Sequence, residues 1–420
     1  MANPPKPTNA RAYAIHLLSA VLDDRRALED AIAAQPFAGS AADERFAQML
    51  VLTVFRHLGQ IDALLATCLE KPLPAKRRAI TNALRIGAAQ LLWLATPAHA
   101  AVHETVAAIK HGKDAGLTGL VNAVLQKLAR NRPTLPEPIH NLPAWLRARW
   151  ESFYGPAAVA AIAQVAARRP PLDLNTLADM PDATRLDAEI TRLPSDHAAV
   201  ETLPGYDAGA FFVQDLAASY PVRLLGEVRG LRVLDLCAAP GGKTAQLARR
   251  GAVVTALDRS PARMAVLSQN QARLKFSAEI IAADLLKWQP QTPYDAILLD
   301  APCSATGTWR RHPEVVHAIT PEAIDELAAQ QRLMLARAWG WLKPGGRMVY
   351  AVCSLEREEG EAQAEWFTAQ HADAIPLPAS SQTDIAPACI RNGMLRSLPS
   401  DRQTEGGMDG FFAVAFEKRV

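Results

Sequence analysis

Apolar residues recur at three- and four-residue spacing from Thr8 to about Arg130, as at Tyr13, Leu17, Leu18, Val21 and Leu22, and predict helices. The same stretch is rich in alanine and poor in β-branched runs. Breaks at Pro36 to Ser40, Pro72 to Pro74, Pro97 and Gly112 to Gly116 divide it into helices of ordinary length, so an all-α domain is expected over residues 1–132. The prolines of NRPTLPEPIHNLP (131–143) argue against a helix or a central strand and predict a semi-rigid linker over residues 133–145. WLRARWESFYG and the alanine-rich segment after it read as two short helices ending at Arg168 to Pro171. They open a small α/β subdomain, residues 146–224, in which FFVQDLAAS (211–219) changes from a strand pattern to a helical one. From Leu231 onward apolar runs at 231–236, 252–257, 279–282, 294–299 and 346–352 alternate with helical patterns. That alternation predicts a mostly parallel, Rossmann-like sheet with helices on both faces over residues 225–420. GMDGFFAVAFEKR (407–419) reads as a late edge hairpin strand. Right-handed crossovers place all parallel strand ends on one side, where open α/β sheets bind ligands.

Composition adds size and compartment to this outline. At 420 residues and 49% hydrophobic, the chain can bury two or three cores. No stretch approaches 18 uninterrupted apolar residues, and MANPPKPTNA at the start lacks the apolar core of a signal peptide, so a cytoplasmic protein with no membrane partner is expected. Five scattered cysteines (Cys68, Cys237, Cys303, Cys353, Cys389) form no C-x-x-C pair, which predicts reduced thiols and no metal. The net charge of +2 hides an asymmetry: residues 1–173 carry 20 Lys and Arg against 13 Asp and Glu, the remainder 25 against 30. A basic front suits a phosphate backbone, although solvated helix faces would give the same count.

The chemistry centres on LRVLDLCAAPGGKT (231–244), an apolar strand stopped by Pro240 before Gly241 and Gly242 turn into a helix carrying Lys243 and Thr244. The first helical N–H groups of such a turn face a ligand. The dinucleotide fingerprint fails because its first two glycines must be one residue apart. A phosphate loop matches at Gly242, Lys243 and Thr244, but Cys237 occupies the position of its first glycine; it would imply a nucleotide hydrolase with Asp300 on magnesium. The third reading is a turn that holds S-adenosylmethionine, with Asp235 taking the charged amino-acid end. Asp258, Asp284 and Asp300 each fall at or just after a strand end, and together point to a nucleoside pocket, though any one alone is equally a helix cap. Cys303 and Cys353 follow two strand ends, each succeeded by a serine, and as a pair fit catalysis. Arg310, Arg311 and His312 are candidate RNA contacts or a solvated basic loop.

Six motifs, DLCAAPGGKT (235–244), ALDRSPARM (256–264), AAD (282–284), LLDAPCSATGTWRRHPE (298–314), LKPGG (342–346) and YAVCSLEREEGE (350–361), closely resemble the RsmB/Nop2/Sun family of RNA (cytosine-5) methyltransferases. In front of them, ALRIGAAQLLWL (83–94), PAHAAVHETV (97–106) and GLVNAVLQKLAR (119–130) resemble a NusB-type RNA-binding domain. His99, His103 and Asn122 stand out there and are expected to be satisfied structural residues. The combination resembles the RsmB branch, except that LDLNTL after Pro171 lacks the Arg-Val-Asn run usual in the family.

The resemblance implies a class I methyltransferase fold and a small-subunit (16S) ribosomal RNA substrate. It implies S-adenosylmethionine held by Cys237, Ala238, Ala239, Pro240, Gly241, Gly242, Lys243, Asp258, Arg263, Asp284 and Asp300. It assigns Cys353 as the nucleophile that adds to C6 of cytosine, Asp300 to the N3 edge, and Cys303 to release of the enzyme thiol. The residues alone leave the order of the two cysteines open, because DNA cytosine methyltransferases use the Pro-Cys position as nucleophile. They also leave open a non-catalytic RNA-binding assembly factor.

Overall fold

A computed structural model of the chain describes residues 9–110, 114–131, 133–381 and 384–420. It divides into two units, Met1–Arg168 with His312–Ile319, and Arg169–Arg311 with Thr320–Val420.

The first unit is helical: α1 (Ala10–Leu22), α2 (Leu28–Ala34), α3 (Ala41–Arg56), α4 (Leu58–Cys68), α5 (Arg78–Leu92), α6 (Ala98–Ile109), α7 (Thr118–Asn131), α8 (Ala144–Tyr154) and α9 (Pro156–Ala166). Asn9 and Ser40 cap α1 and α3 by accepting first-turn N–H groups. The apolar stripe of α1 is buried at Tyr13, Leu17, Leu18 and Val21, as its spacing predicts. Of the expected break at 112–116, Gly112 lies outside the described residues.

Two expectations change in this unit. The proline-rich stretch is not a free linker: Asn141 accepts the Gln60 backbone N–H at 3.0 Å and donates to Gln60 Oε1 at 2.9 Å. Side-chain hydrogen bonds of this kind supply what a proline-rich backbone lacks in donors, and α8 and α9 then continue the helical unit to Arg168. His99, His103 and Asn122 are exposed rather than satisfied inside the fold, because they face away from the apolar stripes of α6 and α7.

The second unit begins with β1 (Leu172–Thr176), β2 (Thr184–Arg185), β3 (Ile190–Leu193) and β4 (Phe211–Val213), an antiparallel sheet in the order β2-β3-β1-β4. FFVQDLAAS does pass from strand to helix, since Asp215 accepts the Ala217 N–H and starts α10 (Leu216–Leu224). The large sheet contains β5 (Arg232–Leu236), β6 (Val253–Asp258), β7 (Ala278–Ala282), β8 (Tyr294–Asp300), β9 (Leu342–Val352), β10 (Ala374–Leu377), β11 (Ile390–Arg391), β12 (Met394–Ser397) and β13 (Phe411–Lys418). Its order is β11-β12-β13-β9-β8-β5-β6-β7, with β10 also paired to β13. From β9 to β7 every pairing is parallel.

Helices α11 (Gly242–Arg249), α12 (Pro261–Leu274), α14 (Pro321–Trp339) and α15 (Glu361–Gln370) belong to the same unit, and the short α13 (Val315–Ala318) to the helical one. Alternate residues of each strand serve opposite faces. Val233, Ala296, Leu298 and Val349 pack with α10 and α11, whereas Leu234, Ile297, Leu299 and Tyr350 pack with α14 and α15.

The last strand corrects the edge-hairpin expectation. β13 runs antiparallel between β9 and β12, and Phe411 to Phe416 are all buried. A six-residue run without alternation is the pattern of a strand covered on both faces: Phe411, Ala413 and Ala415 pack with α10 residues, Phe412, Val414 and Phe416 with α14 and α15 residues, and β12 and β10 pair along its outer edge.

Candidate active site

The parallel strands end together, and their last residues and following loops carry the candidate groups. Asp258 closes β6 opposite Ala282, two residues before Asp284, and Asp300 closes β8 opposite Ala351, two residues before Cys353. The β5 turn is held by unusual backbone: Cys237 has φ +60°, Gly241 has φ +105°, and the Ala239–Pro240 peptide bond is cis. A side chain at Gly241 would be strained at that φ and would meet Leu267 at 2.8 Å. Asp258 braces the turn by accepting the Ala239 N–H at 3.2 Å, and Arg263 donates to the Ala239 carbonyl. These two predicted ligand residues thus shape the turn itself.

Asp235 is fully buried beneath the turn. Its Oδ2 accepts the Thr244 hydroxyl at 2.6 Å, while its Oδ1 has no hydrogen-bond partner among the described residues. Burial, opposed by the Thr244 hydrogen bond, pushes this carboxyl up to about 7. Lys243 donates to Asp300 Oδ2 at 2.7 Å and stands 5.1 Å from the Phe411 ring centroid. Burial works against its charge, but Asp300 prevails and raises the ammonium above its ordinary value. Asp284 accepts the Leu286 N–H, and its side chain is 41% exposed.

Cys303 and Cys353 come together with their sulfurs 3.5 Å apart, as free thiols. The contact with Cys353, then burial, raises the Cys303 thiol well above its ordinary range. Lys243 and Arg311 both lie within electrostatic reach of Cys353. Cys237 is pushed up by burial and lies in the turn, separate from the pair.

A cleft of about 470 Å³ is lined by the β5 turn, Asp235, Asp300 and Arg311, with β4 and α12 residues on its far wall. It is of small-molecule size. It does not take in Asp258, Asp284 or the two cysteines, so it borders one side of the turn and is not the whole site. Among the described residues no group of three His, Cys, Asp or Glu is placed to hold a metal ion, and no single helix is long and apolar enough to cross a membrane.

Arg310 is corrected as an RNA-contact candidate: it is 1% exposed and paired with Asp215 and Asp409. Arg311, which binds Asp409 at 2.6 Å, remains 34% exposed at the cleft, and His312 is 41% exposed. Sequence reasoning missed Phe411 under Lys243, which comes from a distant part of the chain, and the buried Glu359 described below, whose partner Ser304 stands 55 residues away.

Residues 222–417 match the family described as 16S rRNA methyltransferase RsmB/F, and residues 8–130 match the NusB family. The chain is 34% identical to ribosomal RNA small subunit methyltransferase B of Erwinia tasmaniensis, over 99% of this chain and 100% of that one. It is 36% identical to the protein of the same name from Shewanella oneidensis, over 89% and 94% respectively. Among solved structures, the crystal structure of PH0851 superposes with a TM-score of 0.75 at 22% identity, covering 100% of both chains. That of NSun6 from Pyrococcus horikoshii with SFG gives 0.57 at 19% identity, covering 66% of this chain and 98% of that one. At these identities the two structures speak for the fold alone. The sequence matches set aside the phosphate-loop hydrolase and the non-catalytic factor.

Proposed function

Because the chain belongs to the RsmB/F family of small-subunit ribosomal RNA methyltransferases, we propose that it methylates C5 of a cytosine through a covalent bond between Cys353 and C6 of the base. The observation that carries this reading is the 3.5 Å approach of Cys303 and Cys353 at the strand end that also bears the Lys243–Asp300 pair. C5 of cytosine is not nucleophilic enough to take a methyl group until a nucleophile has added at C6.

The turn fits S-adenosylmethionine in its chemistry. The unpartnered Oδ1 of Asp235 offers an acceptor for an ammonium group, the α11 N-terminus favours the carboxylate, and Asp258, Arg263, Asp284 and Asp300 suit the sulfonium nucleoside. When bound, this cofactor supplies an electrophilic methyl group.

Cys353 Sγ forms the bond to C6, and the displaced ring electrons make C5 nucleophilic. Asp300 faces the N3 edge, and the Lys243 ammonium on its Oδ2 is the positive charge that offsets the negative charge developing there. After methylation the C5 proton leaves to the thiolate form of Cys303, its bonding pair forms the C5–C6 double bond, and Cys353 departs as thiolate with the C6–S pair. The raised thiol of Cys303 means that its thiolate, once formed, is a strong proton acceptor. The target base must leave its stack to reach a site between strand ends, at a cost of a few kcal/mol in a duplex and less in a loop.

Transfer of labelled methyl from S-adenosylmethionine to unmodified small-subunit ribosomal RNA, with the product base mapped, tests this assignment. Wild type should form 5-methylcytosine, and Cys353→Ala should form none. Methylation at another atom, or persistent activity in Cys353→Ala, would overturn it.

A further inference from the structure

The two Cys-Ser motifs share a feature that the reaction scheme leaves unused, the serine that follows each cysteine. Both hydroxyls, Ser304 and Ser354, donate to Glu359 Oε2, and their own oxygens are 3.0 Å apart. Glu359 Oε1 accepts the Ser304 backbone N–H at 2.9 Å and the Gln331 amide at 3.1 Å. Four donors match the lone-pair capacity of an ionised carboxylate. Glu359 and Ser354 are completely buried, and Ser304 nearly so. A second ring of bonds locks the cluster: the single Tyr350 hydroxyl proton is shared between the Glu359 carbonyl at 2.6 Å and Gln331 Oε1 at 3.0 Å, and Gln331 also donates to the Pro302 carbonyl at 2.9 Å.

We propose that Glu359 is a positioning residue for the methylation, a buried carboxylate that ties the loop after β8 to the loop after β9 and thereby sets the distance between the Cys303 and Cys353 sulfurs. The inference rests on the reading that these two cysteines carry the reaction. A charge without solvent is costly unless every acceptor site is filled, so its retention here points to what it holds in place. Misplacing reacting groups by about 1 Å can cost roughly 100-fold in rate. Glu359 also acts on Cys303 through its charge, adding to the effects of the Cys353 contact and burial in disfavouring the Cys303 thiolate. The other titratable or charged groups around the cluster are Glu356, Tyr350 and Arg396 with its partner Glu361.

Glu359→Gln, Ser304→Ala and Ser354→Ala test the proposal by steady-state methylation and by alkylation of Cys303 as a function of pH, read by peptide mass. For Glu359→Gln, kcat should fall on the order of 100-fold while KM for RNA and for S-adenosylmethionine stays within about two-fold. The alkylation midpoint of Cys303 should move to lower pH, because a neutral amide no longer opposes the thiolate. The serine variants, which keep the carboxylate, should lower kcat by smaller factors and serve if Glu359→Gln fails to fold. A kcat within about two-fold of wild type in all folded variants, or an unchanged Cys303 profile in Glu359→Gln, would overturn the proposal. A wild-type protein that makes no 5-methylcytosine would instead overturn the reaction assignment, and the Cys303 profile would still report on Glu359.

Discussion

Arg310 lies between Asp215 and Asp409, two carboxylates that would repel each other without it. Burial first, and Asp409 second, push the Asp215 carboxyl up to about 6, so the pair is already expensive to keep ionised. Breaking a buried ion pair from one side leaves an uncompensated charge, which costs more than the pair contributes. Arg310→Leu should therefore lower stability by about 3–5 kcal/mol, read as a fall in the urea midpoint at neutral pH. An RNA contact would behave differently, weakening substrate binding at unchanged stability. Nothing in the run Arg310-Arg311-His312 distinguishes these roles, because the deciding partners stand 95 and 99 residues away in sequence. Asp300 with Cys303, Cys353 and the β5 turn were legible because they follow the ends of β8, β9 and β5, and parallel topology alone brings such ends together.

At the scale of elements, three segments close on one another beside the thiols. Gly307 donates to the Cys353 carbonyl at 3.0 Å, and Gly410 donates to the Gly307 carbonyl at 2.8 Å, joining the loop after β8 to the end of β9 and the start of β13. A Cβ on Gly307 would fall 1.9 Å from the Gly410 oxygen, a backbone atom that cannot swing aside. Gly307→Ala should separate these segments, costing roughly 1–3 kcal/mol of stability and at least about 10-fold in kcat, with both checked on one preparation by thermal unfolding and methyl transfer. The strand runs from 231 to 352 were readable from apolar periodicity. The place of β13 was read as an edge, although its unalternating FFAVAF carried the signal of a doubly covered strand. Glu359 was not singled out, since Ser304 and Gln331, which reveal its role, are brought to it from 55 and 28 residues away.

At the scale of the whole molecule, acid should act first on the helical unit. His57 stacks on Trp93 at 4.3 Å with its Nδ1 2.9 Å from Gln60 Oε1, and His317 Nε2 is 3.2 Å from the Phe55 carbonyl. Burial lowers both rings to about 4. Their folded values lie below the unfolded one, so their contribution is complete above about pH 6.5 and is lost as pH falls toward 4, on the order of 3 kcal/mol each at most. The urea midpoint of the full chain should drop between pH 7.5 and pH 5, and His57→Phe should flatten that drop. The overall plan, a helical front before a mostly parallel α/β unit, was legible from the change in apolar period. What periodicity could not show is that His312–Ile319 belongs to the first unit: His317 packs on Phe55, and its carbonyl accepts Arg25. The helical unit is therefore not one continuous stretch of gene. A ribosome that has finished α9 has made all its long helices but not the segment that completes them, and must translate as far as Ile319 before the first unit to emerge has all of its own residues.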